Sequence, residues 1–222
     1  MCDKNQTASK GQGLFLCFLA IFLICLLGCS SPGSAGRKRV FCSHVIDGDT
    51  IVLSDGTKVR YLEINAPEIA HEDQKGEPLG QAAARFNRGL VQGRTVEILV
   101  NGRKPRDRFG RLLAHVFLLN GKLVSELLVR NGLAHICFFG RPDRYGRRLL
   151  SAQKSAITFK RGIWGIEFTT REPYYIGNRR SLRFHRPWCP LGKNTAPKNR
   201  VIFRKREDAF MKGYCRCKKC LP

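Results

Sequence analysis

Between Val40 and Leu118 the chain reads as a series of short strands broken by turn signals, and that rhythm limits it to folds built around a small sheet. Val40–Ile46, Thr50–Leu53 and Lys58–Ile64 read as strands, with Ser54-Asp55-Gly56 turning between the last two. Thr95–Val100 and Leu112–Leu118 read as two more. Leu79–Val91 places Ala82, Ala83, Phe86 and Leu90 on a rough three-to-four spacing, which predicts a helix. Lys122–Arg130 predicts a second helix, stopped by Asn131-Gly132. A third is expected from Tyr145 to Lys160, ending at Gly162. Strands that nearly close, with helices outside, suggest an OB-type barrel, although propensity alone also permits an open sheet.

The 222 residues suffice for one ordinary domain and an accessory piece. Forty Lys and Arg stand against 17 Asp and Glu, for a formal net charge of +23. Such a surplus disfavours acidic substrates other than polyanions and points to nucleic acid or an anionic membrane surface. A hydrophobic content of 43% excludes a wholly disordered basic tail. The charge is concentrated at the end, since residues 171–222 hold 15 Lys or Arg and only 3 Asp or Glu.

Residues 1–28 belong to targeting rather than to the fold. Lys4 and Lys10 precede an apolar run from Leu14 to Leu27, which is shorter than the ~20 residues a membrane-spanning helix needs. Leu26-Leu27-Gly28-Cys29 resembles a bacterial lipobox, in which the peptide is cut before a cysteine that is then acylated. This resemblance implies an exported lipoprotein anchored through Cys29 at the periplasmic or cell-surface side, with a flexible linker over residues 29–38. The alternatives are an uncleaved apolar anchor and a secreted protein.

Three clusters carry chemistry: Val45-Ile46-Asp47-Gly48-Asp49-Thr50, Arg60-Tyr61-Leu62-Glu63-Ile64-Asn65-Ala66-Pro67-Glu68 and Asp107-Arg108-Phe109-Gly110-Arg111. Acids one residue apart at a strand end can offer hard oxygen ligands to a divalent cation such as Ca²⁺. Arginine presents a planar fork to phosphate oxygens and stays charged while negative charge builds up. A glutamate beside the metal can take a proton from water or hold the water in line. Each cluster alone has a bland reading as a turn, a solvated strand or a hairpin connection.

Their joint order and spacing resemble the staphylococcal nuclease (thermonuclease) family from about Val40 to Trp164. The likeness extends to Gly80-Gln81-Ala82-Ala83-Ala84-Arg85-Phe86 and to the stretch from Leu123 to Ala134. It implies an α+β fold, a five-stranded OB barrel with three helices over residues 39–168. It also implies Ca²⁺-dependent hydrolysis of DNA and RNA leaving 3′-phosphate ends. Carried over by motif position, Arg60 and Arg111 bind and polarise the phosphate, and Glu68 is the general base or water-positioning group. Asp49 is a direct Ca²⁺ ligand, with Asp47 close by. A family carboxylate falls on Asn65, which still offers an amide oxygen but loses one charge. Arg108 and Phe109 are expected at the substrate. Phe109 and Phe138 stand where the family carries nucleotide-contacting tyrosines, so the stacking face is kept and the hydroxyl lost.

Past a linker at residues 169–174, the segment 175–222 contains His185, Cys189, Cys217 and Cys220, a Cys₃His set suited to structural Zn²⁺. A piece this small with few apolar side chains needs such a staple. The segment also resembles the Ada-type metal-binding domain, through His185-Arg186-Pro187-Trp188-Cys189, Asn199–Phe203 and the closing Cys217-Lys218-Lys219-Cys220-Leu221-Pro222. His185 replaces the cysteine that accepts methyl groups in that domain, so a structural and DNA-contacting role is expected. The rival is two disulfides among Cys189, Cys215, Cys217 and Cys220. With zinc bound, Cys215 is a spare thiol, and Cys42 and Cys137 either pair or stay as small buried residues. The run from Arg141 to Arg148 is a solvated loop or a phosphate-tracking face. No protein partner is expected. Two further readings of the whole chain remain: a nucleic-acid-binding barrel without catalysis, and a surface attachment protein whose binding follows charge density.

Overall fold

In the computed structural model, residues 36–70, 75–100, 105–138, 141–167 and 172–222 are described. The signal segment, the lipobox and Cys29 lie outside them. Five strands close into a barrel in the order β1-β2-β3-β6-β5: β1 Lys38–Val45, β2 Thr50–Leu53, β3 Lys58–Tyr61, β5 Arg94–Val100 and β6 Leu112–Phe117. All pairings are antiparallel except β3 with β6, where Arg60 faces Leu113. Closure leaves no sheet edge unpaired and resolves the barrel-or-open-sheet alternative in favour of the barrel. The expected strand Lys58–Ile64 is split. Glu63 takes a left-handed backbone at φ 62°, and the chain resumes as β4, Ile64–Asn65, which pairs with β7, His135–Ile136.

The barrel interior is filled by Val45, Ile51, Val59, Tyr61, Val96, Val116 and Phe117, all at most 1% exposed. Three helices cover it: α1 Gly80–Val91, α2 Val124–Arg130 and α3 Gly146–Thr158. Helix α1 buries Ala83, Ala84, Asn87 and Val91, so its inward stripe sits slightly round from the expected one, with Ala83 common to both. Helix α3 buries Leu149, Ala152, Gln153 and Ala156 at the same helical spacing. Among the described residues no helix is long and apolar enough to cross a membrane.

The tail forms a second sheet in the order β10-β8-β9-β11, with β8 Tyr175–Asn178, β9 Arg183–His185, β10 Arg200–Phe203 and β11 Cys215–Arg216. Two short helices flank it, α4 Pro190–Lys193 and α5 Arg206–Met211. Residues 38–222 form one compact unit, so the tail is docked rather than tethered. Phe210 of α5 packs edge-on against Trp164, which follows the barrel domain's last helix. The buried amide of Gln153 joins both sides, accepting from the Ile136 N–H and donating to the Phe210 carbonyl, each at 2.7 Å.

One expectation about the cysteines is corrected. Cys215 is bonded to Cys137 across 78 residues, so it is not a spare thiol, and Cys137 does not pair with Cys42. Docking is the physical reason: β11 lies parallel to β9, and the residues just after β7 meet it from the barrel side. Cys42 stays a free thiol inside the barrel, and burial pushes its pKa up to about 11.

Candidate active site

The turn Ile46–Asp49 leads into β2 and is pressed flat against the domain. A Cβ added at Gly48 would lie 2.5 Å from Ala66 Cβ and 2.7 Å from Ala83 Cβ, so only glycine lets the turn approach. Asn87 of α1 fixes the turn from beneath, donating to the Asp47 carbonyl at 3.0 Å and accepting from the Tyr61 hydroxyl at 2.9 Å. The Asp49 N–H donates to Asp47 Oδ1 at 2.8 Å, and Asp49 Oδ2 accepts from the Ala66 N–H at 2.6 Å. Both acids are thereby aimed by backbone rather than by flexible contacts.

Arg60, paired with Thr50 across β2 and β3, reaches over this turn. Its Nη2 lies 3.0 Å from Asp49 Oδ2 and donates to Asn65 Oδ1 at 3.1 Å and to the Ile64 carbonyl at 2.9 Å. Its Nη1 donates to the Tyr61 carbonyl at 2.7 Å. Asp47, Asp49, Asn65 and Arg60 therefore meet in one knot. Burial, followed by the charge of Asp49, lifts the Asp47 carboxyl to about 7, against the opposing effects of the Asp49 N–H and Arg60. Two acids and an amide oxygen crowded into one turn are an oxygen donor set that fits an oxygen-loving divalent cation.

Arg111 immediately precedes β6, two residues before the Leu113 that pairs with Arg60. Asp107 holds its guanidinium, with Nε and Nη2 both 2.8 Å from Oδ2. Asp107 Oδ1 also accepts from the Phe109 and Arg111 N–H groups. Burial works to raise the Asp107 carboxyl, but the Arg111 bonds and the Phe109 N–H outweigh it and hold it below the usual range. Arg108 is exposed and stacks 4.7 Å from the Phe109 ring centre, and Phe109 is itself 68% exposed. Glu68 is half-buried on the segment that follows Asn65. Its carbonyl accepts from the Glu77 N–H at 2.8 Å, and its own N–H donates to Glu77 Oε2 at 3.2 Å.

Phe138 departs from its expected place. It is 3% exposed, packed beside Gly146 and Gly213, and its carbonyl accepts from Arg183 of the tail at 3.0 Å. The tail covers the ring, so it presents no free stacking face. Sequence reasoning missed Asn87 and Glu77, whose importance lies in contacts made far along the chain. It also missed a second cluster on the barrel. His115 Nε2 lies 2.5 Å from Asp143 Oδ2, and the Asp143 N–H donates to Glu63 Oε1 at 2.9 Å. Burial, and after it the charge of Asp143, lifts Glu63 to about 7.

In the tail, His185, Cys189, Cys217 and Cys220 are all buried, with their ligand atoms within 4.8 Å of one another. The Cys217 N–H bonds the Phe184 carbonyl at 3.0 Å, extending the β9–β11 pairing until cysteine and histidine meet. The Arg186 and Lys219 N–H groups each point at a sulfur, Cys220 Sγ and Cys217 Sγ, at 3.4 Å. Burial pushes the Cys220 thiol up to about 12. One imidazole and three sulfurs at this spacing, with amide donors behind the sulfurs, fit a tetrahedral Zn²⁺. The rival pair of disulfides is not formed: Cys189, Cys217 and Cys220 are free, and Cys215 is bonded to Cys137.

The family model described as "Staphylococcal nuclease homologue" matches residues 58–165. The chain is 33% identical over 141 residues to endonuclease YncB of Bacillus subtilis, covering 60% of this chain and 66% of that protein, just under two thirds of its length. It is 33% identical over 124 residues to the thermonuclease of Staphylococcus intermedius, covering 54% of this chain and 73% of the relative. Against the thermonuclease of Staphylococcus hyicus it is 32% identical over 134 residues, covering 59% and 78%. With the closed five-stranded barrel, these matches settle the kinship: the chain belongs to the staphylococcal nuclease family.

Proposed function

We propose that the protein is an exported nuclease that hydrolyses phosphodiester bonds of DNA, RNA or both in a Ca²⁺-dependent reaction, leaving 3′-phosphate ends. The observation that carries this reading is the knot of Arg60 with Asp49 and Asn65, with Arg111 at the start of the strand that pairs with that of Arg60 in a nuclease-family barrel. Asp49, Asn65 and Asp47 hold the calcium. When bound, the ion supplies positive charge against a phosphate oxygen and neutralises the crowded acids. Arg60 and Arg111 grip the scissile phosphate and meet the charge that develops on its oxygens as water attacks phosphorus and the P–O5′ bond breaks. Glu68 takes the proton from that water or holds it in line. Arg108 and the exposed Phe109 face the substrate, one as a phosphate contact and the other as a stacking surface.

The tail, residues 175–222, binds structural Zn²⁺ through His185, Cys189, Cys217 and Cys220 and adds basic surface for the nucleic acid. Residues 1–28 are removed on export, and Cys29 carries the lipid that keeps residues 39–168 near a membrane. Support for export comes from the apolar run and lipobox, and a disulfide joining Cys137 to Cys215 accords with an oxidising compartment.

The test is cleavage of single- and double-stranded DNA and of RNA with Ca²⁺, with Mg²⁺ and with EGTA, beside Glu68→Ala. Calcium-dependent cleavage, lost in Glu68→Ala by roughly 10²-fold or more, is expected. Tight binding that survives EGTA with no cleavage in any metal would hand the protein to the binding-only reading, with the charge lost at Asn65 as the cause. Metal analysis is expected to find one zinc per chain, abolished in Cys217→Ser.

A further inference from the structure

We propose that Glu77 and Arg216 are positioning residues for Glu68, so that the tail sets the turnover of the barrel's site. This rests on the role given to Glu68 above. Both backbone polar groups of Glu68 close on one residue, since the Glu77 N–H donates to the Glu68 carbonyl and Glu77 Oε2 accepts the Glu68 N–H. The fit is tight on the far side as well, where a Cβ at Gly80 would lie 2.3 Å from the Glu68 carbonyl oxygen. Glu77 cannot hold this arrangement by itself, because a carboxylate on a three-bond stem has rotamers to spare.

Its other oxygen supplies the constraint. Glu77 Oε1 accepts from Arg216 Nη2, and both side chains are about a quarter exposed, at 24% and 23%. The backbone that carries Arg216 is anchored on both sides. Cys215 before it is bonded to Cys137, and Cys217 after it belongs to the His/Cys cluster. The arginine is thus fixed at both neighbours and clamps the glutamate that clamps the catalytic loop. Without it, the Glu77 carboxylate is free to turn to water, and the Glu68 N–H loses its acceptor. Misplacement of a reacting group by 1 Å lowers turnover by as much as ~10²-fold.

The experiment compares kcat and KM for cleavage of one DNA duplex in Ca²⁺ by the full chain and its variants. Arg216→Ala and Glu77→Ala are each expected to lower kcat about tenfold, within the range for a displaced catalytic group, with KM changed less than about twofold. Arg216→Lys restores part of the loss. Their double variant is expected to be no worse than the worse single, because both break one chain of contacts. The charge swap Glu77→Arg with Arg216→Glu is decisive. It restores attraction between tail and barrel but leaves the Glu68 N–H without an acceptor, so the melting temperature recovers and kcat does not. Glu172→Gln breaks a second tail ion pair, Arg186 with Glu172 at 2.6 Å, that includes neither Glu77 nor Glu68, and keeps wild-type kcat. Wild-type kcat in Glu77→Ala, or in the swap, overturns the proposal even if Arg216→Ala fails to fold. A wild-type chain that cleaves nothing, or a Glu68→Gln that cleaves as well as wild type, overturns the Glu68 reading instead and takes this one with it.

Discussion

The barrel and the tail solve the same packing problem with unequal means. The barrel closes its sheet around Val45, Ile51, Val59, Val116 and Phe117 and has helices left over to cover its ends. The tail clusters Tyr175, Phe184, Phe203, Phe210 and Tyr214 as its buried aromatic side chains and borrows Trp164 and Ile157 from the other side of the contact. A core of five aromatic rings on about fifty residues is below what usually sustains a fold alone. The His/Cys cluster and the disulfide stand where more apolar area would otherwise be needed. Active-site geometry is thus placed on the self-sufficient half, and the stapled half contributes through contacts such as Gln153 and Arg216.

The sharpest way to break this comparison is to take away the staple. Structural zinc in small peptides contributes about 10–16 kcal/mol of apparent binding energy. Chelation, or Cys217→Ser, is therefore expected to abolish amide-exchange protection across β8, β9 and β10 while β1, β2 and β3 keep theirs. Equal loss in both regions would mean that the barrel also depends on the metal. The reciprocal cut is Phe117→Ala, expected to cost about 3–5 kcal/mol because it empties a fully buried ring position. Denaturant unfolding measures it, and zinc stoichiometry should stay unchanged.

A smaller effect tests the polar cluster inside the barrel half. Glu63 has a folded pKa raised to about 7, so its contribution is fully present below the ordinary carboxylate pKa and is lost as pH rises through 7. Glu63→Gln removes that loss and keeps an oxygen for the Asp143 N–H. Discounted for partial exposure, the variant should gain about 1–2 kcal/mol over wild type at pH 8 and match it near pH 4. Unfolding curves at the two pH values decide it, and an equal gain at both would show that charge is not the cause.

What was legible in the sequence follows the range of the interaction. Strands β1, β2, β5 and β6 and all three covering helices fall close to the spans read from pattern, because alternation and helical spacing are local. The acids of the Asp47–Asp49 turn, with Arg60 and Asn65, were recognisable because they sit within two short motifs, and the fold brings them into one knot. The His/Cys set was readable from ligand type and spacing. Contacts made by docking were not. Nothing near Cys137 or Cys215 says that they pair over 78 residues, and Phe138 reads as a substrate-contacting aromatic until Gly213 packs beside its ring and Arg183 bonds its carbonyl. Glu63, His115 and Asp143 come from three separate elements, and their meeting depends on the left-handed residue at Glu63 that splits the strand. Asn87 was hidden for another reason: a polar residue on a helix's apolar stripe looks like a fault until its two partners are known.

The bond between Cys137 and Cys215 makes a covalent ring of the intervening chain, enclosing α3 and most of the tail. A protease that nicks any one peptide within that ring releases no fragment. The severed ends stay tied through sulfur, held by the packing of Phe210 on Trp164 and by the Gln153 bonds. A protein that meets proteases gains lifetime from this even where it gains no rigidity. Limited digestion should give a single band on a non-reducing gel and two pieces once thiol is added.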